Sequence, residues 1–279
     1  MSVKSEVSRG NWSERYRDYQ SKLAERYLIP TLEAWGVHLD GIHLLEVGCG
    51  DGGCGAAFFH AGARVVMMDI EERLVATAER FNRRDGVTAK TFVGDILDDT
   101  GKVYREGAFD LVMFRDVMEH LAEPVRVLDI VREHLTPSGR VFVVFPPYYS
   151  PYGAHQQLLP RTTLVRIPYN KLPYLQLLPD PWFLPVTKGD SGAHREVKRL
   201  RSIRLTIRGF EKHVREAGFR VTRKRFYLSR PSFALRYGAP VIGAGPLGRV
   251  PFLNEVLVTA AYYLLEADES SGHRARSLT

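Results

Sequence analysis

The stretch Leu44-Leu-Glu-Val-Gly-Cys-Gly-Asp-Gly52 decides the fold. An apolar run that begins at His43 stops at Gly48, glycines then alternate with other residues, and a helix-compatible segment occupies 54–61. Glycine permits a tight turn and lets a ligand lie against bare backbone, with a helix N-terminus just beyond. The glycines alone leave the ligand open. Gly48, Gly50 and Gly53 also satisfy the G-x-G-x-x-G spacing that suits a dinucleotide pyrophosphate.

On the C-terminal side, Ala63-Arg-Val-Val-Met-Met-Asp69, 88–93, 109–114 and 140–145 read as further strands. Between them, 71–82 carries Leu74, Ala78 and Phe81 at helical spacing, and 124–135 carries Val125, Leu128, Val131 and Leu135. Strands alternating with helices predict βαβ units and a parallel sheet. The uninterrupted apolar run Val141-Phe-Val-Val-Phe145 predicts a sheet covered on both faces. Upstream, 13–35 reads as a helix with Tyr16, Tyr19, Leu23 and Tyr27 on one stripe, interrupted at Pro30. Downstream the pattern lapses over 146–200, which is rich in Pro, Tyr and Leu. It resumes as a helix at 206–218, capped by Thr206 and closed by Gly218. The segments 219–227 and 254–265 read as two final strands, separated by a Pro/Gly-rich stretch at 230–251.

With its neighbours, the glycine stretch resembles the first motif of the class I SAM-dependent methyltransferases, in which an acid precedes G-x-G-x-G. Here Glu46 precedes Gly48-Cys-Gly-Asp-Gly52. Asp69 ends the second strand 19 residues past Gly50, and Gly94-Asp-Ile96 ends the third. Phe109-Asp-Leu-Val-Met-Phe-Arg-Asp-Val-Met-Glu-His-Leu121 resembles the fourth motif of the branch that methylates quinones, sterols and sugars. Leu135-Thr-Pro-Ser-Gly-Arg-Val-Phe-Val143 and Ala217-Gly-Phe219 resemble later parts of the same fold, so the likeness covers 40–147 and 203–265 in the family's order.

The resemblance implies an α/β, Rossmann-like fold: seven mostly parallel strands, helices on both faces, an N-terminal helical lid and a cap inserted after the fifth strand. The expected organisation is a helical segment at 1–40, a SAM-binding core at 41–147 and a substrate-cap insert at 148–202. The core then completes at 203–265, with a loop insert at 230–251, and a flexible tail occupies 266–279. The implied cofactor is S-adenosyl-L-methionine, held by Glu46, Gly48, Cys49, Gly50, Gly52, Asp69, Ile70, Asp95, Ile96 and Arg115. In that family the second-strand carboxylate takes the ribose hydroxyls, two acceptors for two donors, and the end of the third strand lies against the adenine. Methyl transfer is an in-line displacement, so the protein chiefly positions two reactants. An acidic acceptor also needs a base.

Asp116, Glu119 and His120 are the candidates for that base. Asp116 and His120 lie four apart and are expected on one helical face. His120 either caps and packs its helix, deprotonates a hydroxyl, or holds a divalent metal, as some quinone methylases are thought to do at this motif; no metal site is assigned from sequence. Tyr148, Tyr149, Tyr152 and His155 of the insert either wall an acceptor pocket or fill the insert's own small core. Tyr16 and Tyr19 divide in the same way between a lid over the cofactor and core packing.

The chain has 279 residues, with 39 Lys+Arg against 32 Asp+Glu and a net charge of +7. Residues 188–236 alone hold 15 Lys/Arg and four acids, a local +11, and the remainder sums to −4. Such a flank suits a solvated edge, an anionic acceptor or lipid headgroups, or nucleic acid. Phe114-Arg-Asp-Val stands where an Asn/Asp-Pro-Pro-Tyr motif would mark methylation of bases, which argues against nucleic acid. Cys49 and Cys54 read as reduced thiols. With no apolar leader and no lipid-facing run, the expectation is a cytoplasmic protein without a membrane span, open at most to peripheral contact with an anionic membrane. The reading is therefore SAM-dependent methylation of a small molecule, at a hydroxyl of a lipophilic, aromatic or glycosylated compound. The competing readings are a nucleic-acid methylase or binder, a non-catalytic module that uses the SAM fold to bind a partner, and an NAD(P)-dependent oxidoreductase. Oligomeric state is not encoded in any of these signals.

Overall fold

The apolar run at 43–47 becomes β1 (His43–Val47), which pairs in parallel with a strand on each side. Ahead of it come α1 (Val3–Leu23), a π-helical turn at Ala24–Leu28 and α2 (Ile29–Ala34). Pro30 lies in the first turn of α2, directly after the π-helical turn; Leu28 and Ile29 keep helical backbone angles, so the chain stays helical up to it. The structure, a computed structural model, describes residues 3–98, 100–151, 153–159, 163–164, 167–168, 172–186 and 191–268. Tyr152, residues 188–190 and the end of the tail at 269–279 lie outside the described residues.

After β1 the chain runs through α3 (Gly53–His60), β2 (Arg64–Asp69), α4 (Glu72–Asp85), β3 (Lys90–Val93) and β4 (Phe109–Arg115). It continues with α5 (Pro124–Glu133) and β5 (Leu135–Phe145). The insert contains the short pair β6 (Thr163–Leu164) and β7 (Ile167–Pro168), then α6 (Asp180–Val186) and α7 (Gly192–Ile203). The remainder is α8 (Ile207–Glu216), β8 (Phe219–Ser229), α9 (Pro231–Tyr237), β9 (Ile242–Gly243), α10 (Leu253–Leu257) and β10 (Ala260–Ala267).

The main sheet has the order β3-β2-β1-β4-β5-β10-β8-β9. Its β3-β2-β1-β4 part is parallel, and β10-β8-β9 is antiparallel. Val47 stands opposite both Met68 and Phe114, and Asp69 opposite Val93. The chain therefore leaves β1, β2, β3 and β4 at one edge, where open α/β sheets bind ligands. The sheet has eight strands rather than the expected seven. The addition is the two-residue β9, inside the Pro/Gly-rich stretch whose alternation is too short to read. The final strand also differs: 254–265 begins as α10, and β10 starts only at Ala260. β5 starts at Leu135, five residues before the expected strand.

Two compact units emerge, one of Met1–Phe114, Arg126–Phe142 and Pro231–Ala239, the other of Arg115–Val125, Val143–Arg230 and Pro240–Thr279. In the first, α1 packs on α3 and the glycine turn. Its buried residues are Arg17, Gln20 and Leu23, so of the expected stripe only Leu23 lies fully inside. Tyr16 stacks on Trp12, and Tyr19 lies under the Arg236 guanidinium, 4.5 Å away. Arg17 can be buried because every guanidinium nitrogen is bonded: to the Asp51 carbonyl at 2.8 Å, Asn82 Oδ1 at 3.0 Å and Asp85 Oδ2 at 3.2 Å.

In the second unit the insert builds its own core from Leu159, Leu175, Phe183 and Val197, with Tyr148, Ala154 and Leu200 beside it. Arg201 staples this core. It donates to Asp180 and to the carbonyls of Gln176 and Leu178, and lies 4.1 Å above the Phe183 ring. Beyond it, Phe145, Phe210, Phe226 and Tyr263 pack ring against ring between β5, α8, β8 and β10. Thr206 caps α8 by accepting from Gly209 N at 2.9 Å, and Gly218 takes a left-handed φ of 69°, as their residue types require.

A Cβ on Gly53 would stand 2.3 Å from the Arg17 carbonyl oxygen, a backbone atom that cannot rotate away. Gly53→Ala must therefore push α1 off α3. The expected cost is about 1–3 kcal/mol of unfolding free energy, measured by denaturant titration.

Candidate active site

The glycine turn is held open by φ values of 71°, 57° and 76° at Gly48, Gly50 and Gly52, a region that side chains disfavour. Its backbone is pinned to the end of β2. Gly48 N and Cys49 N both donate to the Met68 carbonyl, at 2.8 and 3.0 Å. The Asp69 carboxylate accepts from Gly50 N at 2.9 Å through one oxygen and from Glu71 N at 3.0 Å through the other. Each of those oxygens keeps a lone pair for a further donor.

The other expected cofactor residues fall around this turn in different ways. Glu46 is buried in β1, and Cys49 is buried with its thiol toward the Gly50 carbonyl. Burial, followed by the Glu46 and Asp69 charges, keeps the Cys49 thiol protonated. Ile70 is exposed just past Asp69. Asp95 is exposed and accepts from Leu97 N, while Ile96 is buried and its carbonyl accepts from the Tyr104 hydroxyl. From α1, the Gln20 amide nitrogen comes to 3.5 Å of where a Gly50 Cβ would be. Its side-chain oxygen is buried without a hydrogen bond among the described residues. Sequence reading missed Arg17 and Gln20 because polar residues on a helix look solvent-facing.

Arg115, Asp116, Glu119, His120 and His155 form a separate set within the second unit. Asp116 adopts a left-handed φ of 54°, and Met118–His120 is a single 3-10 turn. Asp116 and His120 therefore do not share a helical face, contrary to the expectation from their spacing. The Asp116 carboxylate lies between two guanidiniums: Arg115 at 2.8 Å and Arg230 at 2.9 and 3.1 Å. Burial would raise its pKa, but Arg230 and then Arg115 outweigh burial and hold it at about 2.

His120 turns to the insert. Its Nδ1 pairs with the carboxylate of Glu196 on α7, and its Nε2 lies 3.8 Å from Glu119 Oε1. The His155 ring sits 5.2 Å away, tilted by 52°. Burial would lower the His120 pKa, but the Glu196 hydrogen bond and the Glu119 and Glu196 charges raise it above its usual value. His155 is driven down to about 4, by burial and then by His120. Burial pushes Glu119 up, to about 8. Near neutral pH the set thus holds a neutral Glu119, a neutral His155 and an ion-paired His120. Ligand atoms of Glu119, His120 and His155 lie within 4.8 Å of one another, close enough to hold a metal ion; Asp116, committed to two arginines, does not join them. Glu196 carried no signal in the sequence, because it belongs to a segment without period.

Tyr148 and Tyr149 pack toward the insert's own core. Tyr148 is buried against Ala154 and Leu200 with its ring edge-on to Tyr149, and its hydroxyl is 3.5 Å from Arg201. It does not present an aromatic wall.

Residues 45–141 match the family model described as a methyltransferase domain. Curated relatives include the ubiquinone biosynthesis O-methyltransferase of Xylella fastidiosa, 29% identical over 107 residues, which are 38% of this chain and 43% of that protein. The protein of the same name from Methylococcus capsulatus is 28% identical over 139 residues, 48% of this chain and 57% of its own. The chain thus spans well under two thirds of the curated relatives it matches. Among solved structures, an S-adenosylmethionine-dependent methyltransferase from Clostridium acetobutylicum superposes with a TM-score of 0.54 at 12% identity, covering 88% of this chain and 92% of that one. The fold is that of the class I SAM-dependent methyltransferases, and residues 45–141 match the model of a methyltransferase domain. Among the described residues, no helix is long and apolar enough to cross a membrane.

Arg230→Leu would leave the partly buried Asp116 carboxylate with Arg115 but without its second guanidinium. The expected loss is about 2 kcal/mol in denaturant unfolding at neutral pH, the scale of a charged hydrogen bond. Because Asp116 titrates below its ordinary value, this contribution is present above about pH 4 and fades as pH falls toward 2, so variant and parent converge in acid.

Proposed function

We propose that the chain transfers the methyl group of S-adenosyl-L-methionine to a hydroxyl of a small-molecule acceptor. The observation that carries the oxygen-centred reading is the His120–Glu196 ion pair beside a neutral His155. The glycine turn and its surroundings fit the cofactor. Three left-handed glycines present bare backbone, Asp69 offers two buried acceptor oxygens to the ribose hydroxyls, and the unsatisfied Gln20 oxygen offers an acceptor to an ammonium. The cofactor, when bound, supplies an activated methyl group on a sulfonium centre.

The chain's own work is positioning and one proton transfer. In the neutral form of His120, which prevails above its raised pKa, Glu196 keeps the remaining proton on Nδ1, and Nε2 is left as the acceptor for the proton of the substrate hydroxyl. As the oxygen gains the methyl group, His120 becomes imidazolium, and Glu196 stabilises that charge. Asp116 holds Arg230 and Arg115 and moves no proton. A second reading rests on the convergence of Glu119, His120 and His155: a divalent cation there would lower the pKa of the acceptor hydroxyl. The Xylella relative's name, a ubiquinone-pathway O-methyltransferase, supports a lipophilic phenolic acceptor.

Isothermal calorimetry should show micromolar binding of SAM and of its demethylated product and none of NADH; Asp69→Asn should weaken both by about tenfold or more. Failure to bind SAM would end the methylase reading.

Neutral His120 is the competent form, so kcat/KM should rise with pH through a value above the ordinary imidazole range. His120→Ala should lower kcat by about 10²–10⁴. Glu196→Gln removes a group that raises the His120 pKa, so the rising limb should move to lower pH while its plateau falls. A plateau abolished by chelators and restored by divalent metal, with the limb unmoved, would favour the cation instead.

A further inference from the structure

We infer that the segment around 241–253 is a membrane-docking surface that takes an anionic phospholipid bilayer. Val241, Ile242, Leu247, Val250, Phe252 and Leu253 are all exposed, Phe252 to 84%. Single exposed apolar side chains are ordinary, but six within thirteen residues make a patch that a monomer in water does not need. The patch is also built rather than frayed. Ile242 and Gly243 pair with Ser229 and Tyr227, and Ala244 N donates to the Phe226 carbonyl at 2.7 Å. Gly248 is buried against the Phe226 ring. These contacts hold the backbone down and leave the large apolar side chains pointing out. Phe252 has a φ of 68°, a strained value for a phenylalanine. The strain ends with the ring in solvent, which is favourable only where something apolar receives it.

Charge selects the occupant. Residues 219–254 contain seven Lys/Arg and no Asp or Glu. Some of these cations are committed, Arg220 to Glu266, Lys224 to Glu211 and Arg230 to Asp116. Arg249 lies inside the patch itself, between Leu247 and Val250. A second copy of the chain is a poor match, because a two-fold contact would set Arg249 facing its own equivalent with no acid in the segment to meet it. Nucleic acid would leave the apolar side chains uncovered. An anionic bilayer answers both features: phosphates meet the arginine, and acyl chains receive Phe252 and its neighbours. The segment ties to the insert as well, since the Tyr174 hydroxyl donates to the Val256 carbonyl of α10 at 3.2 Å. The inference stands apart from the methyl-transfer reading, and either can fail alone.

The test is sedimentation of the full chain with vesicles of phosphatidylcholine alone and of phosphatidylcholine mixed with phosphatidylglycerol. The expected result is binding to the mixed vesicles that weakens in high salt, with little binding to phosphatidylcholine. The double variant Phe252→Asn, Leu253→Ser keeps a residue that tolerates positive φ and should lose about tenfold or more in vesicle affinity. Arg249→Glu should lose about fivefold or more on anionic vesicles. Unchanged thermal unfolding and unchanged SAM calorimetry on the same preparations show that the variants remain folded and keep the two readings separate. Absence of binding by the parent chain overturns the inference. So does equal binding to both vesicle types, or affinity untouched by either variant. A dimer in light scattering that the double variant abolishes, without vesicle binding, would assign the patch to a second copy and overturn it too.

Discussion

The end of β2 carries more of this structure than any other point. Its penultimate carbonyl, at Met68, takes two N–H groups from the glycine turn, and its last side chain, Asp69, takes a third and spans to the next loop. A turn with three left-handed residues has no intrinsic reason to hold one shape. Here it is held by hydrogen bonds to a strand that is itself fixed in register between β1 and β3. The α1 helix then closes over the turn at a distance that only glycine permits, with Arg17 bonded across to Asp51, Asn82 and Asp85. The glycine turn is thus a backbone shape, and the side chains around it serve mainly to stop it moving.

The second unit solves a harder electrostatic problem. Asp116, Glu119, His120, His155, Glu196 and Arg230 bring six titratable groups into one partly buried neighbourhood. Full ionisation would be costly, and the arrangement avoids it by three routes. Asp116 is paired with two arginines, His120 is paired with Glu196, and Glu119 and His155 give up their charges. A neutral imidazole and a neutral carboxyl beside an ion pair form a set in which protons can change hands at small cost. Active sites commonly have this property.

Much of the fold was legible in the sequence because periodicity and punctuation are local signals. The apolar run before Gly48, the spacing of Leu74, Ala78 and Phe81, and the capping pair Thr206 and Gly218 each act through neighbours a few residues away. The errors lie where that condition fails. Of the stripe Tyr16, Tyr19, Leu23 and Tyr27 only Leu23 is fully buried, because Arg17 and Gln20 take the inner face through partners more than thirty residues distant. The spacing of Asp116 and His120 suggested a shared helical face, but Arg115 and Arg230 pull Asp116 into a left-handed turn that no pattern of apolar residues announces. Tyr148 looked like a pocket wall because nothing local shows that Ala154 and Leu200 enclose it.

By itself, then, the sequence determined the parallel α/β core, the glycine turn with its following helix, the acid at the end of the second strand and the excess of positive charge near the C-terminal part. Each of these follows from local propensity or simple counting. Only the tertiary structure decided that Glu196 meets His120, that Asp116 belongs to two arginines, and that part of the basic charge is spent inside the molecule on Arg201, Lys224 and Arg230. Apart from the adjacent Arg115 and Asp116, those pairings join residues from 13 to more than one hundred positions apart. Their energies come from burial and from the choice of partner, and neither exists until the chain has folded.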